Sequence, residues 1–165
     1  MDIPVICIVG AHNSGKTTFI TKLISILKSE GYKVTAVKHD PKGKAVTDTP
    51  GKDSYKMFQS GADQVIIASP DKITSYVRSE KGYSPDFILE NLIVGKPDLV
   101  ILEGFKWFDG IDKYEVIRKS EDRDLLLKNS PDLKGVITDY YDFNPSFDIN
   151  KPFIFFEYLK SSYLR

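Results

Sequence analysis

Three features of this 165-residue sequence predict a three-layer α/β domain of the P-loop type, with a mainly parallel central sheet and an inserted β-hairpin. Apolar, strand-like runs alternate with helix-spaced segments, which is the pattern of parallel α/β sheets. Between the first run and the first helix lies Gly10-Ala11-His12-Asn13-Ser14-Gly15-Lys16-Thr17, which fits G-x-x-x-x-G-K-[ST]. Two β-rich runs flank Ser69-Pro70-Asp71-Lys72, a hairpin signature that a parallel sheet does not require.

Taken in order, Ile3–Val9 is nearly continuous in apolar residues, as a strand covered on both faces should be. Thr18–Ser29 has helical spacing and stops at Gly31, and Lys33–Lys38 is a second strand. Asp40–Gly51 holds two prolines and two glycines and reads as a loop. Ser54–Gly61 is short and helix-like, and Gln64–Ala68 with Ile73–Arg78 forms the hairpin. A helix is predicted over Ser84–Val94, with Ser84 as N-cap, Pro85 in the first helical position and Gly95 closing it. Asp98–Glu103 is a buried strand, and Tyr114–Arg118 and Gly135–Thr138 are further strands. Arg123–Lys128 reads as a short helix, Phe153–Phe156 as a last strand and Glu157–Leu164 as a terminal helix. There is no internal repeat, low-complexity segment or long linker, so the expectation is one domain over residues 1–165.

Composition narrows the function classes. Lys+Arg and Asp+Glu both number 23 and are interspersed, so the electrostatic footprint of a nucleic-acid binder is missing. The single cysteine, Cys7, lies within the first strand and suits a buried structural thiol. No apolar run approaches the length of a membrane span, and the N-terminus lacks the pattern of a signal peptide. The expectation is a soluble, cytoplasmic protein.

The glycine motif carries the chemistry. In a strand–loop–helix context, backbone N–H groups of Asn13 to Thr17 would surround a β-phosphate, with the helix N-terminus adding positive potential. Lys16 would reach the β- and γ-phosphates, and the Thr17 hydroxyl would ligate Mg²⁺. In Asp98-Leu99-Val100-Ile101-Leu102-Glu103-Gly104-Phe105-Lys106, an apolar strand delivers a carboxylate at its C-terminal end, where ligands of open α/β sheets gather. Glu103 is therefore the candidate Mg²⁺ carboxylate, and Gly104 would let the backbone turn close to the phosphates. In Thr49-Pro50-Gly51-Lys52-Asp53-Ser54, Gly51 permits close approach, while Asp53 suits either a ligand-site carboxylate or a helix cap. Lys38 and His39 end the second strand on the same side; His39 fits a phosphate contact and a structural role equally well.

Together these segments resemble the MobB family, the molybdopterin-guanine dinucleotide biosynthesis adaptor proteins. The resemblance rests on Asn13-Ser14-Gly15-Lys16-Thr17-Thr18, Val37-Lys38-His39, Pro50-Gly51-Lys52-Asp53-Ser54-Tyr55 followed by Ser60-Gly61-Ala62, and Leu99–Lys106. Their order runs through residues 3–118, and Ile137-Thr138-Asp139 fits a later strand end. The resemblance implies a GTP-binding homodimer, weakly hydrolytic at most, that works beside the guanylyltransferase attaching GMP to molybdopterin. It also implies that Ser14 to Thr18 hold phosphates, that Thr17 and Glu103 serve Mg²⁺, and that Gly51 and Asp53 line the same cleft. One departure is that the family often continues its Lys-His pair with further histidines, where this chain has Asp40-Pro41-Lys42-Gly43.

Guanine preference is not written in an N-K-x-D element. Asp139, at the end of the Gly135–Thr138 strand, could supply a base-reading carboxylate or be an ordinary turn aspartate. Lys106 completes the candidate nucleotide-site residues. The rival reading is a P-loop small-molecule kinase or ligase similar to the dethiobiotin-synthetase type, with an acceptor bound near Lys38, Asp53 and Lys106. A metallochaperone GTPase is disfavoured by one cysteine and two histidines. The hairpin residues Val65, Ile66, Ile67, Ile73, Tyr76 and Val77 present more apolar surface than a lone hairpin covers, which predicts a part in homodimerisation.

Overall fold

The computed structural model describes residues 3–79, 82–140 and 142–164. Backbone contacts divide the chain into two compact units, residues 1–39 with 89–165, and residues 40–88.

The first unit is built on a six-stranded parallel sheet. Its strands are β1 (Val5–Gly10), β2 (Val34–Lys38), β5 (Leu99–Glu103), β6 (Asp112–Ile117), β7 (Leu133–Thr138) and β8 (Ser146–Asp148), ordered β2-β5-β1-β6-β7-β8. β1 lies between β5 and β6, so the residues that follow it open between the ends of two neighbouring strands. Side chains alternate across these strands. Ile6, Ile8, Leu99, Ile101, Tyr114, Val116 and Ile137 face α1 (Lys16–Ser29) and α4 (Pro152–Ser162), which supply Phe19, Leu23, Leu27, Phe155, Phe156 and Leu159. Tyr114 shows how its polar tip is accommodated in that core. Its ring meets Phe155 edge-on at 4.8 Å, and its hydroxyl lies 3.1 Å from that of Tyr158 and 2.7 Å from that of Tyr163.

The opposite sheet face carries Cys7, Val9, Val100 and Leu102, all buried, together with two charged side chains from β6. Lys113 pairs with Asp132 at 2.9 Å. The carboxylate of Glu115 accepts the N–H groups of Leu126 and Leu127 at 2.8 and 2.9 Å and pairs with Arg123 at 2.7 Å. This network corrects the expected helix over Arg123–Lys128. No helix forms over residues 123–128, which follow a 3-10 turn at Lys119–Glu121, because the buried Glu115 carboxylate takes the N–H groups of Leu126 and Leu127.

A second correction concerns the C-terminal segment. Phe153–Phe156 is not a strand but part of α4, where Phe155, Phe156 and Leu159 are buried while Phe153 and Ile154 are exposed. Pro152 sits in the first helical turn, where its missing N–H costs nothing. The last strand is instead the three-residue β8, too short to show a period.

The second unit contains α2 (Asp53–Gln59) and an antiparallel pair, β3 (Gln64–Ala68) and β4 (Ile73–Val77), with α2 packed on β3. The predicted hairpin is thus present and separate from the main sheet. α3 (Pro85–Asn91) follows it, starting with the expected proline.

Candidate functional site

The glycine loop bridges β1 and α1, and its shape follows from close packing at Gly10. A Cβ there would stand 2.6 Å from the backbone oxygen of Val116 and 2.9 Å from Ser14 Oγ, so only glycine lets the loop leave β1 against β6. Asn13 takes a left-handed conformation, φ 59°, which asparagine tolerates well. α1 begins after Gly15 with no side-chain cap, which leaves its first-turn N–H groups for another acceptor.

A cavity of about 360 Å³ opens above this loop, lined by His12, Asn13, Ser14, Gly15, Lys16, Thr17, Thr18, Lys38 and Glu103. All six predicted phosphate-binding residues therefore share one wall, and both predicted Mg²⁺ residues face the same space. Thr17 Oγ1 donates to Glu103 Oε1 at 2.9 Å, and Lys38 Nζ reaches the same oxygen at 2.8 Å. Lys16 Nζ lies over the loop, donating to the carbonyls of Gly10 and Ala11 at 2.9 and 2.6 Å. Burial holds its ammonium below the ordinary lysine value, an effect that Glu103 opposes. A dianionic or more highly charged ligand would offset that cost by charge attraction.

The loop fits a phosphate group on its own chemistry. Ser14 is 1% exposed, and its Oγ has no hydrogen-bond partner among the described residues although Ser14 belongs to the cavity wall. Buried polar atoms are almost always paired, so an orphan hydroxyl beside uncapped helix N–H groups and a lysine marks a place for an acceptor. The metal position fits less completely. Thr17 and Glu103 offer two hard oxygen donors, and among the described residues no group of three or more His, Cys, Asp or Glu side chains gathers anywhere. Such a donor pair suits Mg²⁺ held jointly by protein, phosphate oxygens and water rather than a protein-enclosed ion.

Most of the other predicted residues have local partners of their own. His39 donates its backbone N–H to the Glu103 carbonyl at 2.9 Å, and its ring stacks on Phe105 at 4.8 Å. Gly104 serves that packing, since a Cβ on it would stand 2.8 Å from His39 Cβ at a φ of 96°. Lys106 is exposed beyond this turn. Gly51 and Asp53 belong to the second unit, where Asp53 opens α2 and pairs with Lys56 at 3.7 Å. Asp139 accepts from the Lys119 N–H at 2.7 Å and from Arg118 Nε at 3.1 Å, which hold its carboxyl below the usual aspartate value. The sequence reading missed Arg118, because nothing local in Ile117-Arg118-Lys119 distinguishes it from a surface arginine.

A family model described as molybdopterin guanine dinucleotide synthesis protein B, MobB, matches residues 5–139. The chain belongs to this family. The molybdopterin-guanine dinucleotide biosynthesis adapter protein of Haemophilus influenzae is 36% identical over 104 residues, 63% of this chain and 58% of that protein. Its Escherichia coli counterpart is 34% identical over 106 residues, covering 63% of this chain and 60% of the relative. The matched stretch thus spans about three fifths of these MobB relatives. A crystal structure of molybdopterin-guanine biosynthesis protein B is similar over 95% of this chain and 98% of its own, with a TM-score of 0.75 and 31% identity.

Proposed function

We propose that this chain binds GTP with Mg²⁺ in the loop cavity and serves as an adapter in molybdopterin-guanine dinucleotide biosynthesis. In this reading it acts in the cytoplasm as a homodimer beside the molybdenum cofactor guanylyltransferase, with at most slow GTP hydrolysis. The observation that carries the nucleotide part is the shared cavity of Asn13 to Thr18 with Lys38 and Glu103, in which the buried Ser14 hydroxyl lacks a partner among the described residues. Family membership supports the pathway.

Each residue has a role in this reading. The N–H groups of the first turn of α1 and the Ser14 hydroxyl donate to phosphate oxygens, and Lys16 leaves the Gly10 and Ala11 carbonyls for the β- and γ-phosphates. Thr17 and Glu103 hold Mg²⁺, which neutralises charge on those phosphates. Lys38 steadies the Glu103 carboxylate. Glu103 is the one carboxylate among the cavity-lining residues, and its Oε1 already accepts two donors. The second unit supports self-association through exposed Ile66, Ile67 and Ile73.

Calorimetric titration of GTP and ATP, with and without Mg²⁺, tests the site. GTP should bind more tightly than ATP, and Mg²⁺ should strengthen it; tighter ATP binding overturns the assignment. Guanylyltransferase turnover should rise when the chain is added, and no change would remove the adapter role.

A further inference from the structure

The sheet order gives the loop a direction. Thr17, Glu103 and Lys38 mark its metal-side pole, with β5 and β2 on one side of β1. β6 and β7 lie on the other side. Arg118 follows β6 directly and Asp139 follows β7 directly. With terminal phosphates at Lys16 and Glu103, as in the reading above, the β6–β7 side, where Arg118 and Asp139 lie, would be left for the nucleoside.

Arg118 is held from several sides. Its backbone N–H donates to Glu121 Oε2 at 2.5 Å, and its Nε donates to Asp139 Oδ2 at 3.1 Å. Glu121 is itself fixed by Arg123 Nε at 2.9 Å, and Arg123 Nη1 reaches the buried Glu115 at 2.7 Å. With Nε committed to Asp139, Nη1 lies 3.6 Å from where a Gly15 Cβ would stand, so the guanidinium borders the loop. Asp139 uses Oδ1 for the Lys119 N–H and Oδ2 for Arg118, so both of its oxygens are already engaged.

We propose that Arg118 is a specificity-determining residue at the nucleoside end of the loop, its Nη1–Nη2 edge donating to the O6 and N7 acceptors of a guanine base, with Asp139 as its positioning residue. This rests on the nucleotide-binding reading of the loop. A planar pair of N–H donors matches the two acceptors of guanine, whereas adenine places an amino donor where guanine has O6. Lysine keeps the charge of Arg118 but not the fork. In this arrangement Asp139 acts through Arg118 rather than on the base.

Titration calorimetry with GTP, ATP and inorganic tripolyphosphate, all with Mg²⁺, separates the possibilities. Arg118→Lys and Arg118→Ala should each weaken GTP by about five-fold or more and leave tripolyphosphate within about two-fold of wild type. The GTP-to-ATP preference should collapse in both, and Asp139→Asn should lower it partly. Equal weakening of all three ligands would make Arg118 a phosphate contact and overturn the proposal, as would an unchanged GTP-to-ATP ratio in folded Arg118→Lys. Lys16→Ala serves as the control, because it should weaken all three. A wild-type chain that binds none of them overturns the loop reading itself, and the Arg118 proposal with it.

Discussion

The two compact units treat apolar strands in opposite ways. In the first, Ile6, Ile8, Leu99, Leu102 and Ile137 are buried almost completely, with α1 and α4 covering one sheet face. In the second, Val65 is 7% exposed but Ile66 and Ile73 are 60% and 74% exposed, and α2 has no buried residue. A two-stranded hairpin with one short helix has too little surface to enclose its own side chains. The contrast separates a region that is stable by its own packing, and can spare a loop for chemistry, from one whose apolar face remains available to a partner.

The largest expected effect comes from attacking the enclosed core. Leu102→Ala should cost about 2–5 kcal/mol in urea unfolding, while Ile73→Ala should change stability by no more than about 0.5 kcal/mol. Equal losses would erase the contrast. Next comes Lys16→Ala, which should weaken GTP binding by about 1.5–3 kcal/mol with the circular dichroism spectrum unchanged. Glu103→Gln should weaken GTP less and mainly in the presence of Mg²⁺; superimposable Mg²⁺ titrations would reduce Glu103 to a strand-end carboxylate.

The dryness of the first core makes a pH prediction. Burial pushes the Cys7 thiol up to about 12 from its ordinary value near 9. Between these values the folded chain retains a proton that the unfolded chain has released, so stability falls as pH rises through that window, by up to about 1.4 kcal/mol per pH unit. Cys7→Ala should show a shallower alkaline decline in the same melts, and an identical slope would mean that the thiol is not shielded. The smallest change in stability belongs to Ile73→Lys, at about 0.5 kcal/mol or less. It should nevertheless shift the light-scattering mass toward monomer. Val65 is unsuitable for this test, since a charge there would be buried. An unchanged dimer in Ile73→Lys, or a wild type that is monomeric when concentrated, would remove the hairpin from the interface.

Much of the site was legible because its signals are local. Gly10 to Thr17 needs only adjacent residues to form a strand–loop–helix anion site, and Leu99–Glu103 announces a buried strand with a terminal carboxylate. The hairpin was equally plain from its turn residues. By contrast, His39 fits a phosphate contact and a structural role equally well in the sequence, and only the fold shows its ring packed on Phe105 through a turn that Gly104 permits. Asp139 reads as either a base-reading carboxylate or a turn aspartate in the sequence, and only the fold shows its carboxylate accepting from Arg118 and Lys119.

The sequence alone therefore determined the fold class, the loop and the family, all of which depend on periodicity and on residues close together in the chain. Tertiary structure decided what depends on partners far apart. The Glu115 carboxylate on β6 takes the backbone donors of Leu126 and Leu127 and so prevents the helix that local propensity favoured. Burial of Phe155, Phe156 and Leu159 against the sheet makes a helix of an aromatic run that reads locally as a strand. The order β5-β1-β6 gives the loop its two poles and brings Arg118 against Gly15, 103 positions earlier in the chain. Hydrogen bonds and packing across such separations leave no periodic trace in the sequence, because each partner is chosen by the fold and not by its neighbours.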